Sequence, residues 1–209
     1  PTPASADQVV VRIPGSVVRW PVLVALVVGV PVGLTSPAQA DSSGERFPTT
    51  NQVIAGSGWS NAANAYAADG TTATVSIVTN NTPRTTEFGG FGFDAALPTG
   101  ATIDAVTGRV IWRCTITNLH LDALAVVGGA AVAPSYHNYP APTSLTTRTF
   151  AIAGLTRAQL VDPTFGIRIT AVGYSVFGTY YCALDVVSVT VEYTPADPPV
   201  ALPDSGVTI

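Results

Sequence analysis

The sequence predicts an all-β protein: a single antiparallel β-sandwich or jelly-roll domain with an extended arm at each end. Segments 103–116 and 186–194 alternate apolar and polar residues, as half-buried strands do. Turn-forming glycine, proline and aspartate residues separate these and other short β-branched runs. Only 11% of the 209 residues are charged, lysine is absent, and glutamate occurs only at Glu45, Glu87 and Glu192. Long amphipathic helices are therefore not expected.

The two alternating segments predict which side chains face the core. In the first, Val110, Trp112 and Cys114 share the inward face, while in the second the odd-numbered residues 187–193 point inward. Large side chains such as Trp112 are expected to dominate a core of this size. Further strands are predicted over 73–78 and 165–170, and one helical turn is predicted over 155–160.

Three glycines have predicted backbone roles. Gly92 and Gly166 each lie beside phenylalanine in a predicted strand, which indicates a bulge or a close approach of neighbouring backbone. The segment 98–100 ends in Gly100 and predicts a turn in which that glycine has a positive φ.

The chain is predicted to have three parts. Residues 1–46 form an apolar N-terminal arm, residues 47–195 form the sandwich, and residues 196–209 form a proline-rich extended tail. Proline lacks a backbone donor and cannot continue a sheet, so the tail is expected to be an extended, semi-rigid segment. It is expected to be disordered on a free monomer and to lie across a neighbouring subunit in an assembly.

The first forty residues allow three interpretations. Two arginines, an apolar run and the small residues before Asp41 fit a secretory signal peptide of residues 1–40. A membrane anchor fits less well, because the apolar run 21–34 is shorter than the ~20 residues that a bilayer requires. The β-branched content fits an extended arm that is retained and covered by a partner, and this is the interpretation we carry forward. The apolar residues of this assembly arm are Val9, Val10, Val11, Ile13, Trp20, Val22, Leu23, Val24, Leu26, Val27 and Val28.

Five short motifs occur in order between residues 50 and 195. They are the segment from Trp59 to Asp69-Gly70, then Phe91-Gly92-Phe93, Leu97-Pro98-Thr99-Gly100, Asp162 to Phe165-Gly166, and the alternating run 184–194. Their order and spacing resemble a β-sandwich module of tailed-bacteriophage virion structural proteins, minor tail proteins especially. The same module also occurs in secreted and surface proteins of bacteria. The resemblance implies a structural or adhesive module with no catalytic residues, and it does not extend to the arm or the tail.

Cys114 and Cys182 are the only cysteines. A disulfide between them would suit an extracellular or virion setting, and two buried free thiols are the alternative. The strand pattern opposes the disulfide, because Cys182 is even-numbered in a strand whose core positions are odd. A bulge near Ala183 would remove this conflict.

Little in the sequence indicates chemistry. His120 and Asp122 are predicted to share one strand face, but zinc needs more ligands, so we expect no metal site and no cofactor. Neither a nucleophile-elbow motif nor a marked carboxylate pair is present, so we do not expect an enzyme. The nine basic residues are arginines scattered along the chain, which excludes a nucleic-acid-binding patch. Tyr136, His137 and Tyr139 form a candidate ligand or partner surface, although cross-strand packing of half-buried tyrosines is the favoured explanation.

These observations favour a non-enzymatic structural component of a bacteriophage particle, located in the tail, at the head–tail junction or on the capsid. Its expected partners are copies of itself and other virion proteins, bound through the terminal arms. The alternative is a secreted or cell-surface bacterial module that loses a signal peptide and binds a surface glycan.

Overall fold

Two antiparallel sheets enclose an apolar core between them. This architecture is seen in a computed structural model, which describes residues 39–78, 82–173 and 178–196. The predicted all-β sandwich is confirmed. Within the described residues, no helix is long and apolar enough to cross a membrane.

The strands within these ranges are β1 (Asp41–Arg46), β2 (Thr50–Ala55), β3 (Ala73–Ile77), β4 (Arg84–Gly89), β5 (Thr102–Cys114), β6 (Leu119–Val127), β7 (Ala130–Ala131), β8 (Tyr136–Asn138), β9 (Thr146–Ala151), β10 (Gly166–Gly173) and β11 (Tyr180–Thr194). A 3-10 turn spans Ala62–Ala65, and two single-turn helices are α1 (Phe93–Ala96) and α2 (Arg157–Leu160). The predicted helical turn over 155–160 corresponds to α2.

The first sheet has the order β1-β11-β5-β9, and β3 pairs with β11 as well. β3 pairs with the first part of β11 and β1 with its last part, so these two short strands follow one another along β11. The second sheet has the order β2-β4-β10-β6-β7, and β8 also pairs with β6. Every one of these pairings is antiparallel.

The predicted strand faces are confirmed in the core. Val110, Trp112 and Cys114 of β5 are buried, and so are the odd-numbered residues 187–193 of β11. They face apolar residues of the second sheet, among them Phe88 and Ile169. Burial of this apolar surface is the main favourable contribution to folding.

A β-bulge in β11 reconciles Cys182 with the strand pattern. Cys182 pairs directly with Cys114 of β5, and the two residues form a disulfide with Cα atoms 4.0 Å apart. The register shifts between Leu184 and Val186, which leaves Asp185 as the extra residue. Inward-facing positions are therefore even before the bulge and odd after it. Asp185 is buried and accepts a hydrogen bond from the backbone N–H of Gly70 at 3.0 Å.

The three glycines differ in how well they were predicted. Gly166 does permit a close approach, because a Cβ there would lie 3.0 Å from the carbonyl oxygen of Phe88. Gly100 has the predicted positive φ, 79°, in a turn closed by a hydrogen bond from Ala101 N to Pro98 O. The prediction for Gly92 was wrong, since it lies outside the strands and precedes α1. Its φ of 69° lies in the left-handed region, which glycine adopts without the steric cost that a Cβ would add.

The boundary between arm and sandwich also differs from the prediction. Residues 41–46, which are predicted from the sequence to belong to the arm, form β1 at the edge of the first sheet. Glu45 anchors β1 by accepting hydrogen bonds from Arg109 of β5 and from the Ser188 hydroxyl of β11. The segment DSSGER lacks apolar alternation, so its strand conformation depends on pairing with β11.

The disulfide gives a first testable prediction. Reduction should lower the free energy of unfolding by about 4 kcal/mol, because the bond closes a loop that the reduced unfolded chain leaves open. Denaturant unfolding with and without reductant measures this difference. The double variant Cys114→Ala/Cys182→Ala is the control and should not respond to reductant. Equal midpoints for the oxidised and reduced wild-type chain would contradict a disulfide at this position.

Candidate functional site

The pairing of β8 with β6 brings the two histidines of the chain together on the outer face of the second sheet. Asp122 of β6 is the pairing partner of His137 in β8. His120 lies two residues before Asp122 and therefore on the same face, as the sequence predicted. We call His120, Asp122 and His137 the His–Asp cluster.

Asp122 lies between the two histidines. Its Oδ1 is 2.5 Å from Nδ1 of His137, and its Oδ2 is 3.5 Å from Nε2 of His120. The imidazole centroids are 4.7 Å apart. The side chains of His120, Asp122 and His137 are 4%, 30% and 48% exposed, so the cluster runs from a buried histidine to an open one.

Burial lowers the pKa of His120 below its usual value. The Asp122 carboxylate opposes this shift, and His137 adds to it. A lowered pKa favours the neutral imidazole at pH 7, and a neutral imidazole carries a lone pair that can bind a metal ion. The cluster thus offers two imidazole nitrogens and one carboxylate oxygen, and one ligand atom from each residue can be chosen so that all lie within 4.8 Å of one another.

The sequence revealed only two members of this cluster. His137 is fifteen residues away from Asp122, and their proximity depends on a three-residue strand whose pairing no local pattern predicts. The available signal was the histidine count, since the chain contains only two histidines. The expectation that no third residue capable of binding a metal lies beside His120 and Asp122 was wrong, because His137 does.

The predicted surface of Tyr136, His137 and Tyr139 is only partly realised. Tyr136 points to the opposite face of β8 and stacks on Phe150, with ring centroids 4.6 Å apart and an interplanar angle of 11°. The alternation of a strand requires this, because neighbouring residues face opposite sides. The side chain of His137 is 48% exposed and Tyr139 is 50% exposed, so both residues lie at the surface.

Two surface depressions each contain a carboxylate that is held by a hydrogen bond or an ion pair. The depression of about 530 Å³ contains Glu87, which pairs with Arg168 at 2.9 Å. The depression of about 470 Å³ contains Asp162, where the hydroxyl and backbone N–H of Thr164 lower the pKa of the carboxyl group. A lowered pKa is the opposite of what a general acid needs.

The remaining predicted site residues are those of the N-terminal arm. Residues 9–28 lie outside the described residues, as does the tail beyond residue 196.

Comparisons with known proteins give similar folds at low identity. No protein-family model matches the chain, and no curated protein sequence matches it. An arabinose-bound MgGH51 α-L-arabinofuranosidase is 15% identical with a TM-score of 0.40, and the match covers 76% of this chain but only 25% of the enzyme. The CBM36-1 domain of a xylanase from the hindgut metagenome of Trinervitermes trinervoides is 11% identical with a TM-score of 0.33, covering 73% of this chain and 96% of that domain. The coat protein of Tobacco streak virus is 11% identical with a TM-score of 0.29, covering 84% and 99%. Similarity at this level carries no conclusion about function.

Tyr136 and an exposed tyrosine should differ in their effect on stability. Tyr136→Ala should lower the free energy of unfolding by about 1–3 kcal/mol, because it removes the stacked pair and part of the apolar contact with Phe150. Tyr181 is 54% exposed, so the matched control Tyr181→Ala should cost less. Thermal or denaturant unfolding of both variants measures the two effects. An equal loss in the two variants would contradict the inward position of Tyr136.

Proposed function

We propose that this protein is a non-enzymatic structural component of a bacteriophage particle. In this proposal the β-sandwich is the body of the subunit, and the terminal segments make contacts with other copies and with other virion proteins. The motif resemblance between residues 50 and 195 supports the virion assignment, and the sandwich architecture is compatible with a binding or structural role.

The observation that carries the proposal is where the chain enters and leaves the sandwich. Asp41 at the start of β1 pairs with Tyr193 near the end of β11, and Ser42 pairs with Glu192. The chain therefore enters and leaves at the same end of the first sheet. A neighbouring subunit that binds at this end could engage both terminal segments, which is an arrangement suited to arm-mediated assembly.

Side-chain hydrogen bonds near this end connect β1 to β11. The Tyr193 hydroxyl donates a hydrogen bond to Asp41 at 3.3 Å, and the Ser43 hydroxyl accepts one from Val191 N at 3.0 Å. Together with the bonds to Glu45, these contacts would transmit a force on the arm directly to β11. The carboxylates bound by Arg168 and Thr164 support the non-enzymatic part of the proposal.

Deletion of the arm tests this function. A chain lacking residues 1–40 keeps β1 and should remain folded, but it should fail to join particles because its assembly contacts are lost. A chain lacking residues 1–46 should also be less stable, since it loses the hydrogen bonds of Glu45. Circular dichroism and unfolding report the fold, and co-sedimentation with particles reports incorporation. Incorporation of the 1–40 deletion at the wild-type level would refute assembly through the arm.

A second candidate function is an exported binding module of a bacterial surface. It is favoured by the position of β1, which begins at Asp41, directly after the signal-peptide cleavage expected at Ala40. The disulfide suits an oxidising compartment and therefore fits both candidates.

The mass of the protein isolated from its native source distinguishes the two candidates. The virion proposal expects a mass that includes residues 1–40, because the arm must be kept for assembly. The export hypothesis expects a polypeptide that begins at Asp41. Intact mass spectrometry reads this difference directly, and a chain that begins at Asp41 would rule out the arm-mediated assembly proposed here.

A further inference from the structure

We propose that the His–Asp cluster is a binding site for one divalent transition-metal ion of the zinc type. The ligands would be Nε2 of His120, Nδ1 of His137 and a carboxylate oxygen of Asp122. This inference rests on the geometry of the second sheet and is independent of the function proposed above.

The donor set selects the class of metal. Calcium and magnesium prefer oxygen ligands, whereas two imidazole nitrogens and one carboxylate oxygen suit zinc and its neighbours in the first transition series. Three protein ligands leave a fourth tetrahedral position for water. Both cysteines are joined to each other in the first sheet, so the site is one of nitrogen and oxygen ligands alone.

The distances are compatible with a single ion. Two ligand atoms bonded to one tetrahedral zinc at about 2.0–2.1 Å lie about 3.3 Å apart. Oδ1 of Asp122 lies 2.5 Å from Nδ1 of His137, and Oδ2 lies 3.5 Å from Nε2 of His120, so one carboxylate oxygen faces each imidazole. One ligand atom from each of the three residues can be chosen so that all lie within 4.8 Å of one another, so a modest approach of the side chains brings them to one ion. The ion would enter between Asp122 and His137 and replace their hydrogen bond, which requires a small side-chain rotation of the exposed histidine.

One histidine of the proposed site is buried, and the other is exposed to solvent. His120 is 4% exposed and is held within the sheet, where β6 lies between β10 and β8. His137 is 48% exposed, so an ion and its remaining water ligand can reach the cluster from solvent.

A bound ion would also connect β8 to β6 through side chains. β8 has only three residues, and its pairing partners are residues 121–123 of β6. Coordination by His137 would therefore stabilise this short strand, and with it the position of the exposed Tyr139 that follows.

Zinc titration of the full 209-residue chain tests the proposal. The protein is prepared without a histidine tag and with its disulfide intact, so that the two native histidines are the only imidazoles present. Isothermal calorimetry with Zn²⁺ should show one saturable site, and Co²⁺ should give the visible absorption of a coordinated ion that Zn²⁺ then displaces. Zn²⁺ should also slow amide hydrogen exchange in residues 136–138.

Two variants test proposed ligands, and a third is their control. His137→Ala and Asp122→Asn should each weaken zinc binding by at least about 10- to 100-fold, the loss seen when even an outer-shell partner of a metal is removed. Both side chains are partly exposed, so metal-free melting should show folded proteins. Asp104→Asn is the matched control, because Asp104 is an acid of β5 in the other sheet, and it should bind zinc as the wild type does.

Three results would overturn the assignment. One is the absence of saturable zinc binding to the wild-type chain, and another is unchanged affinity in both folded ligand variants. The third is equal affinity for Ca²⁺ and Zn²⁺, which would mean that the imidazoles do not take part.

Discussion

The pairing of β5 with β11 is the interaction on which the first sheet depends. β11 carries β1 and β3 along its other edge, and β5 carries β9, so each remaining strand of that sheet is paired with one of these two. The disulfide joins β5 to β11 at one end of this pairing, and the bulge at Asp185 shifts the register between the two strands. Without the extra residue, either Cys182 and Leu184 or the valines that follow would point away from the core, because a shift of one residue exchanges the two faces of a strand. The bulge therefore makes the disulfide and the apolar core compatible.

The sequence predicts those strands in which apolar and polar residues alternate. β5 and β11 are long, and the alternating segments 103–116 and 186–194 bury the residues that the alternation assigns to the core. β1 and β8 have no such alternation, since one is a polar segment and the other has three residues. Both become strands because a longer neighbour offers unpaired backbone groups. Short strands of this kind depend on tertiary pairing, which local sequence does not encode.

The same reasoning explains which site residues could be predicted. His120 and Asp122 lie two apart on one strand, so their common face follows from strand geometry alone. His137 joins them through the pairing of β8 with β6, and Tyr136 is turned away by that same register. The pairing of β8 with β6 therefore places His137 in the candidate site and turns Tyr136 away from it.

The two regions with proposed roles belong to different sheets, since the His–Asp cluster lies on the second sheet and the terminal segments join strands of the first.

The antiparallel pairing of β1 with β11 has a mechanical consequence. The residues at which the terminal segments join these strands are neighbours, because Asp41 lies opposite Tyr193. A force that separates the two ends would act on this pair first, and the hydrogen bonds between the strands would break one after another instead of sharing the load. Peeling would meet the Ser43 and Glu45 contacts within the length of β1. The disulfide connects β11 to β5 at the far end, so detachment of β1 would leave the central strand pair of the sheet covalently joined.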